Sequence, residues 1–349
     1  MNLLPKKVAD LKEYTPNAVN CKTVLDANEC YCDFPKEIKT SIAKKLADVP
    51  FNRYPDPYAT ELCSEFSKVF SLCTQNIAAG NGSDEIISVL IFSFLQKGEK
   101  VLLINPDFSM YEFYAKICEI ETVCQYKEAG FAVSLTRALK KIDLDRKIKM
   151  VIFSNPCNPT GQLIPKQEIL NFARKTGILT LVDEAYMDFD LNENSVLAEA
   201  AEIENLLVLK TLSKAFGAAA ARIGFLIAEE KIISAFKKVK SPYNVNAFSQ
   251  VIGTEILKNI DYVEKNVKEM IKNRDFLYTE LSKSPLLECY KTHTNFVFVK
   301  AGNAHQIADF LQSKGIKIRV LLGEYLRITT GSKEENQLII NTLKEGKLL

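Results

Sequence analysis

Met150-Val151-Ile152-Phe153, then Ser154-Asn155-Pro156-Cys157-Asn158-Pro159-Thr160-Gly161, a helical run from Lys166 to Lys175, Leu179-Thr180-Leu181-Val182, and finally Asp183-Glu184-Ala185-Tyr186 form the stretch that decides the fold. It reads as strand, loop, amphipathic helix and strand. Both strands are continuous apolar runs, as expected where a strand is covered on its two faces; a half-solvated strand would alternate. Such a βαβ unit belongs to a parallel sheet. Working outward, Val101 to Ile104, Leu206 to Leu209 and Ile223 to Ala228 are further runs of this kind. The expected fold class is α/β, a mostly parallel central sheet with helices on both faces.

After Pro242 the pattern changes. A long helical stretch, Phe248 to Ser282, leads into strand-like Asn295 to Val299, a helix from Ala304 to Lys314, strand-like Ile316 to Val320 and Leu326 to Thr329, and a last helix. That order predicts a smaller α+β domain, with the large domain over 31–245 and the small one over 246–349. The length of 349 residues suits two domains at roughly 100 to 200 residues each.

Composition removes several function classes. Lys and Arg number 45 against 43 Asp and Glu, and no basic block stands out, which argues against a nucleic-acid reader. The two histidines, His293 and His305, argue against mechanisms that need several imidazoles, and no metal site is expected. Nine cysteines are scattered without a C-x-x-C, which fits reduced thiols in a cytoplasmic protein. Met1 to Tyr14 carries five charges and lacks the apolar run of a signal peptide. The longest apolar run, Ile86 to Leu95, is far short of the roughly 20 residues a membrane helix needs.

In open sheets ligands collect beyond the carboxyl ends of the strands, so those segments are read for chemistry. Gly80-Asn81-Gly82-Ser83-Asp84-Glu85 precedes an apolar helix; Gly82 permits close backbone approach, and Ser83 is placed to cap a helix whose dipole favours an anion. The nicotinamide-binding G-x-G-x-x-G would need glycine where Glu85 stands, which counts against a dehydrogenase. Asp183 ends a buried run and needs donors or a cation, and Tyr186 brings a phenol to the same end. Lys214, in Ser213-Lys214-Ala215-Phe216, supplies an amine with Arg222 eight residues on. Asn158 offers an amide from a loop stiffened by two prolines, and Phe108 offers a ring face. Each has an ordinary alternative: a capped helix, an Asp turn, a solvated lysine, a core aromatic. Together they match the needs of pyridoxal 5′-phosphate.

On these motifs, with Arg53-Tyr54-Pro55-Asp56-Pro57, Thr211 to Phe216, Pro242 to Asn246, Ile318-Arg319 and Leu326 to Thr329, the sequence resembles the fold type I pyridoxal-phosphate aminotransferases, most closely the histidinol-phosphate aminotransferase family. The resemblance implies that Lys214 bonds the cofactor covalently, that Asp183 pairs with the ring nitrogen, that Tyr186 and Asn158 hold the ring oxygen and that Phe108 stacks on the ring. It implies a phosphate held by Ser83, Asp84, Thr211, Ser213, Arg222 and Tyr54 from a second subunit. Arg327 and Arg319 would meet the acidic group of the substrate, with Tyr14 and Tyr243 lining its pocket. A homodimer is implied, with an arm over 1–30 packing against the small domain and the partner.

The implied reaction is amino transfer from histidinol phosphate to 2-oxoglutarate in histidine biosynthesis, with glutamate as the other amino acid of the pair. Alternatives on the same fold are a threonine-phosphate decarboxylase and an aromatic amino-acid aminotransferase. A non-catalytic pyridoxal-binding protein is the alternative outside enzymes.

Overall fold

The computed structural model of the protein describes residues 5–9 and 21–349. Seven strands make the large sheet: β1 (Ile77–Gly80), β2 (Lys100–Asn105), β3 (Glu121–Tyr126), β4 (Ile148–Ser154), β5 (Leu179–Asp183), β6 (Leu206–Thr211) and β7 (Gly224–Ile227). Their order is β1-β7-β6-β5-β4-β2-β3. The run β6 to β3 is parallel, and β7 pairs antiparallel with both β6 and β1.

Alternation explains the continuous apolar strands. Successive side chains of a strand point to opposite faces, and here both faces are covered. Val151, Phe153, Val182 and Val208 join the core on one face, beneath helices Thr60–Phe70 and Lys166–Thr176. Met150, Ile152, Leu181, Leu207 and Leu209 join a second core against helices Ser83–Phe94 and Glu230–Val239. Helix Lys166–Thr176 buries Ile169, Leu170, Phe172, Ala173 and Thr176, one stripe at helical spacing, and ends at Gly177 in the left-handed region.

The sequence reading missed β1 and β3. Ile77-Ala78-Ala79-Gly80 is short and carries small residues, and β3 is an edge strand that mixes half-buried Thr122, Val123 and Cys124 with exposed Glu121 and Tyr126, so it shows no continuous apolar run. The expected helix over 248–282 is two, Ala247–Lys258 and Ile260–Leu281, separated at Asn259.

A second sheet, β8 (Glu288–Tyr290), β9 (Phe296–Lys300), β10 (Arg319–Leu321) and β11 (Tyr325–Thr329), is antiparallel in the order β10-β11-β9-β8. Its core includes Val297, Val299, Leu326 and Ile328 with Ile307, Leu311, Ile339 and Ile340 from two helices. The incoming chain joins it: Thr23–Val24 pairs parallel with Ile316–Lys317, and Leu25 is buried among these residues. Helix Ile260–Leu281 serves both regions. Val263, Val267 and Met270 lie in the large core, and Leu277 and Leu281 in the small one. No helix among the described residues is long and apolar enough to cross a membrane.

Candidate active site

The carboxyl ends of β2, β4, β5 and β6 lie side by side, with Ser154 opposite Asp183 in register. Asp183 is buried there. Its Oδ2 accepts from the Tyr111 hydroxyl at 2.8 Å and its Oδ1 from the Ala185 amide at 3.0 Å. Burial pushes this carboxyl up to about 6, and neither of those donors is a cation. An acid so placed favours a cationic partner on its open side.

Lys214 sits in the turn after β6, half-buried. Its Nζ donates to the Ala27 carbonyl at 3.1 Å and lies 5.9 Å from the Tyr186 ring centre. The Tyr186 hydroxyl accepts from Asn28 Nδ2 at 2.8 Å, and its ring stands edge-on to Phe296. Asn28 was missed by the sequence reading. It is fully buried with a left-handed backbone, and the Thr329 hydroxyl bonds its amide oxygen at 3.1 Å. Its one sequence signal is that asparagine tolerates this backbone better than most residues.

The start of helix Ser83–Phe94 differs from expectation. Gly82, not Ser83, holds the N-cap, and no side chain caps the helix, because Ser83 is already its first helical residue. The first-turn amides are thus left to an incoming acceptor. Two glycines keep the approach open. A Cβ on Gly82, whose φ is +81°, would lie 2.9 Å from Arg222 Nη2; one on Gly224 would lie 2.4 Å from the Ser83 amide nitrogen. Arg222 faces Asp84 across 3.4 Å, and Asp84 Oδ1 is buried with no hydrogen-bond partner among the described residues. Alongside, the Thr211 hydroxyl accepts from the Ser213 amide at 3.1 Å and meets the Ser213 hydroxyl at 3.0 Å.

Asn158, whose amide nitrogen donates to Ser154 Oγ at 3.1 Å, turns its Oδ1 to Arg327 Nη1 at 2.7 Å. Arg327 Nη2 also donates to the Asp26 carbonyl at 2.7 Å, and the guanidinium lies over the Phe296 ring. Arg319 is the cross-strand partner of Arg327, so both project from one face of the small sheet. Phe108 is half-buried and edge-on to Tyr111 at 5.5 Å. Tyr111 was also missed, since a helical tyrosine carries no signal of which carboxylate it will meet.

Tyr54 and Tyr243 stand at the surface, rings stacked at 4.6 Å, beside Phe51 and Phe248 at 5.6 Å. Tyr54 is 81% exposed and Phe51 82%, a dense aromatic patch for a solvated face. Tyr14 lies outside the described residues. The set as a whole suits a ligand with an anionic group, a protonatable ring nitrogen and a carbonyl for an amine.

The family model for aminotransferase class I and II matches residues 21–343. A histidinol-phosphate aminotransferase of Clostridium novyi is 40% identical, covering 98% of this chain and 96% of that protein. One of Thermoanaerobacter pseudethanolicus is 36% identical over 99% of this chain and 98% of its own length. Among solved structures, the histidinol-phosphate aminotransferase from Sinorhizobium meliloti in complex with pyridoxal-5'-phosphate has a TM-score of 0.90 at 21% identity, covering 99% of this chain and 97% of that one. That last likeness is one of fold.

Proposed function

The chain belongs to the aminotransferase class I and II family, and within it to the histidinol-phosphate aminotransferases, and from that premise we propose that it moves an amino group from histidinol phosphate to 2-oxoglutarate with pyridoxal 5′-phosphate as cofactor. The observation that carries the reading is Asp183, buried and pushed up to about 6 without a cation among those donors, at the strand end next to the one that leads to Lys214.

The residues present fit the cofactor. The open first turn at Ser83 and Asp84, cleared by Gly82 and Gly224, with Thr211, Ser213 and Arg222 beside it, suits a phosphate. Asp183 suits the ring nitrogen, Tyr186 and Asn158 the ring oxygen, and Phe108 the ring face. When bound, the group supplies an electron sink for the carbon next to the substrate nitrogen. Lys214 would hold the cofactor and, once the substrate amine displaces it, carry the proton from that substrate carbon to the carbon of the cofactor. Asp183 keeps positive charge on the ring nitrogen by a charge-assisted hydrogen bond. Arg327 and Arg319 bind the acidic end of either substrate, and Tyr14 and Tyr243 line the pocket. Arg327 bonds the Asn158 Oδ1, which leaves the Asn158 Nδ2 to donate to the ring oxygen.

The aromatic patch at Phe51, Tyr54, Tyr243 and Phe248 is covered by a second copy of the chain, which makes the enzyme a cytoplasmic homodimer whose Tyr54 reaches the neighbouring phosphate. Purified protein loaded with the cofactor, histidinol phosphate and 2-oxoglutarate is expected to form glutamate. Carbon dioxide from threonine phosphate with no glutamate would assign the decarboxylase instead, and cofactor binding without any turnover would assign a non-catalytic binder.

A further inference from the structure

Beneath the Asn158 loop lies a group of charged and nucleophilic side chains that the amino transfer does not use. Lys127 follows edge strand β3 and is nearly absent from the surface, its side chain 1% exposed. Lysine is almost never buried to that degree without dedicated partners. Here they are the Pro106 carbonyl at 2.6 Å, the Asp107 carboxylate at 3.8 Å and the Cys157 sulfur at 2.7 Å. Cys157 is as deeply buried and sits in the turn between the two prolines of the loop.

The contact between Lys127 Nζ and Cys157 Sγ is the unusual one. Sulfur is larger than oxygen, and 2.7 Å is a separation typical of a charge-assisted nitrogen-to-oxygen hydrogen bond. An amine and a thiol held so near are separated by about the span of one bridging oxygen. We propose that Lys127 and Cys157 form a covalent modification site, at which a hydroperoxide inserts one oxygen to give an Nζ–O–Sγ bridge.

The chemistry balances with two equivalents of hydrogen peroxide. The first transfers an oxygen to the Cys157 sulfur, giving a sulfenic acid and one water. In the second step the S–OH and the lysine N–H each lose one hydrogen, an N–O bond forms, the peroxide O–O bond breaks, and two waters leave. Four electrons pass from the pair to the two peroxides. Lys127 must first shed the extra proton of its ammonium, and Asp107 is placed to accept it. Burial pushes that carboxyl upward, toward holding a proton. Two equivalents of a dithiol reverse both steps and restore the thiol, the amine and a water.

The bridge reaches the active site through hydrogen bonds already described. Asp107 accepts from the Ser154 hydroxyl and from the Ser154 amide at 3.1 Å, and that hydroxyl accepts from the Asn158 amide. Bridging removes the Lys127 charge, leaves Asp107 without its cation, and ties the segment after β3 to the loop that presents Asn158. The oxidised enzyme therefore loses activity that a dithiol returns.

The test is mass spectrometry of the cofactor-loaded enzyme after graded hydrogen peroxide. The expected product joins the peptide of Lys127 to that of Cys157, with one oxygen gained and two hydrogens lost. It disappears with dithiothreitol and is absent from Cys157→Ser and Lys127→Arg. Cys157→Ser keeps the buried cation, so it stands as the control should Lys127→Arg fail to fold, and its activity shows no dithiol-reversible loss that depends on this pair. Cys157 carried to sulfinic or sulfonic acid on an unjoined peptide, or a direct S–N link without oxygen, would overturn the proposal.

Discussion

Arg327 of the small sheet donates to Asn158, in the loop after β4 of the large sheet, at 2.7 Å, so one hydrogen bond joins the side chain proposed for the substrate to the one proposed for the cofactor. Arg327→Gln shortens the side chain and leaves the Asn158 oxygen unpaired within a buried loop. We expect a loss of about 1–3 kcal/mol of stability. The KM for both acidic substrates should rise together, since one arginine serves both. Thermal melts with steady-state kinetics for each substrate check this; a change confined to one substrate would separate the two roles.

Among the described residues Lys214 donates to one carbonyl and lies over the Tyr186 ring, and it is half-buried, so its removal costs the fold little. Lys214→Ala should lower glutamate formation by at least about 10³-fold while leaving the melting curve nearly unchanged. Retained turnover would show that another amine does the work.

Asp183 makes stability depend on pH. Burial raises its carboxyl from 3.8 to about 6, so the unfolded chain releases the proton first. The contribution is whole below about pH 4, declines as pH rises and is gone above about pH 6. Asp183→Asn should flatten that decline and make the cofactor-free protein more stable near neutrality by up to about 3 kcal/mol. The same variant should lose turnover when loaded. Urea unfolding across this range, beside an activity assay, tests both halves.

Gly224 is the tightest point of the anion cradle. Its Cβ would meet the Ser83 nitrogen and the Gly82 carbonyl carbon, which are backbone atoms and cannot swing aside. Gly224→Ala is expected to weaken cofactor binding at least about tenfold, a cost of roughly 1.4 kcal/mol. Gly82→Ala, which meets the far end of Arg222 but also strains a left-handed backbone, should cost about 1–2 kcal/mol. Titration of each apoprotein with the cofactor reads the difference.

Phe51→Glu places a charge on the exposed aromatic patch without touching either core. Sedimentation should show a shift from dimer to monomer, and cofactor affinity should fall as Tyr54 leaves the neighbouring site. A dimer that persists would place the interface elsewhere.

The parts of this architecture that rest on local pattern are readable in the chain. Doubly covered strands show as unbroken apolar runs, and the residues directly after β4, β5 and β6 carry the proposed chemistry because strand ends are where a parallel sheet leaves room for it. What depends on tertiary partners is not. Asn28 meets Tyr186, 158 residues away in sequence, and Tyr111 meets Asp183 across 72. The N-cap moved from Ser83 to Gly82 because the approach of Gly224, not a hydroxyl, shapes that turn. Asn259 divides a stretch whose apolar spacing runs through the break.

Helix Ile260–Leu281 gives residues from its first half to one core and from its last turns to the other. Neither core can lose its packing without releasing part of a continuous hydrogen-bonded rod that the other depends on. Heat or denaturant is therefore met by a single cooperative transition across both regions, and any swing of the smaller region takes this rod as its axle.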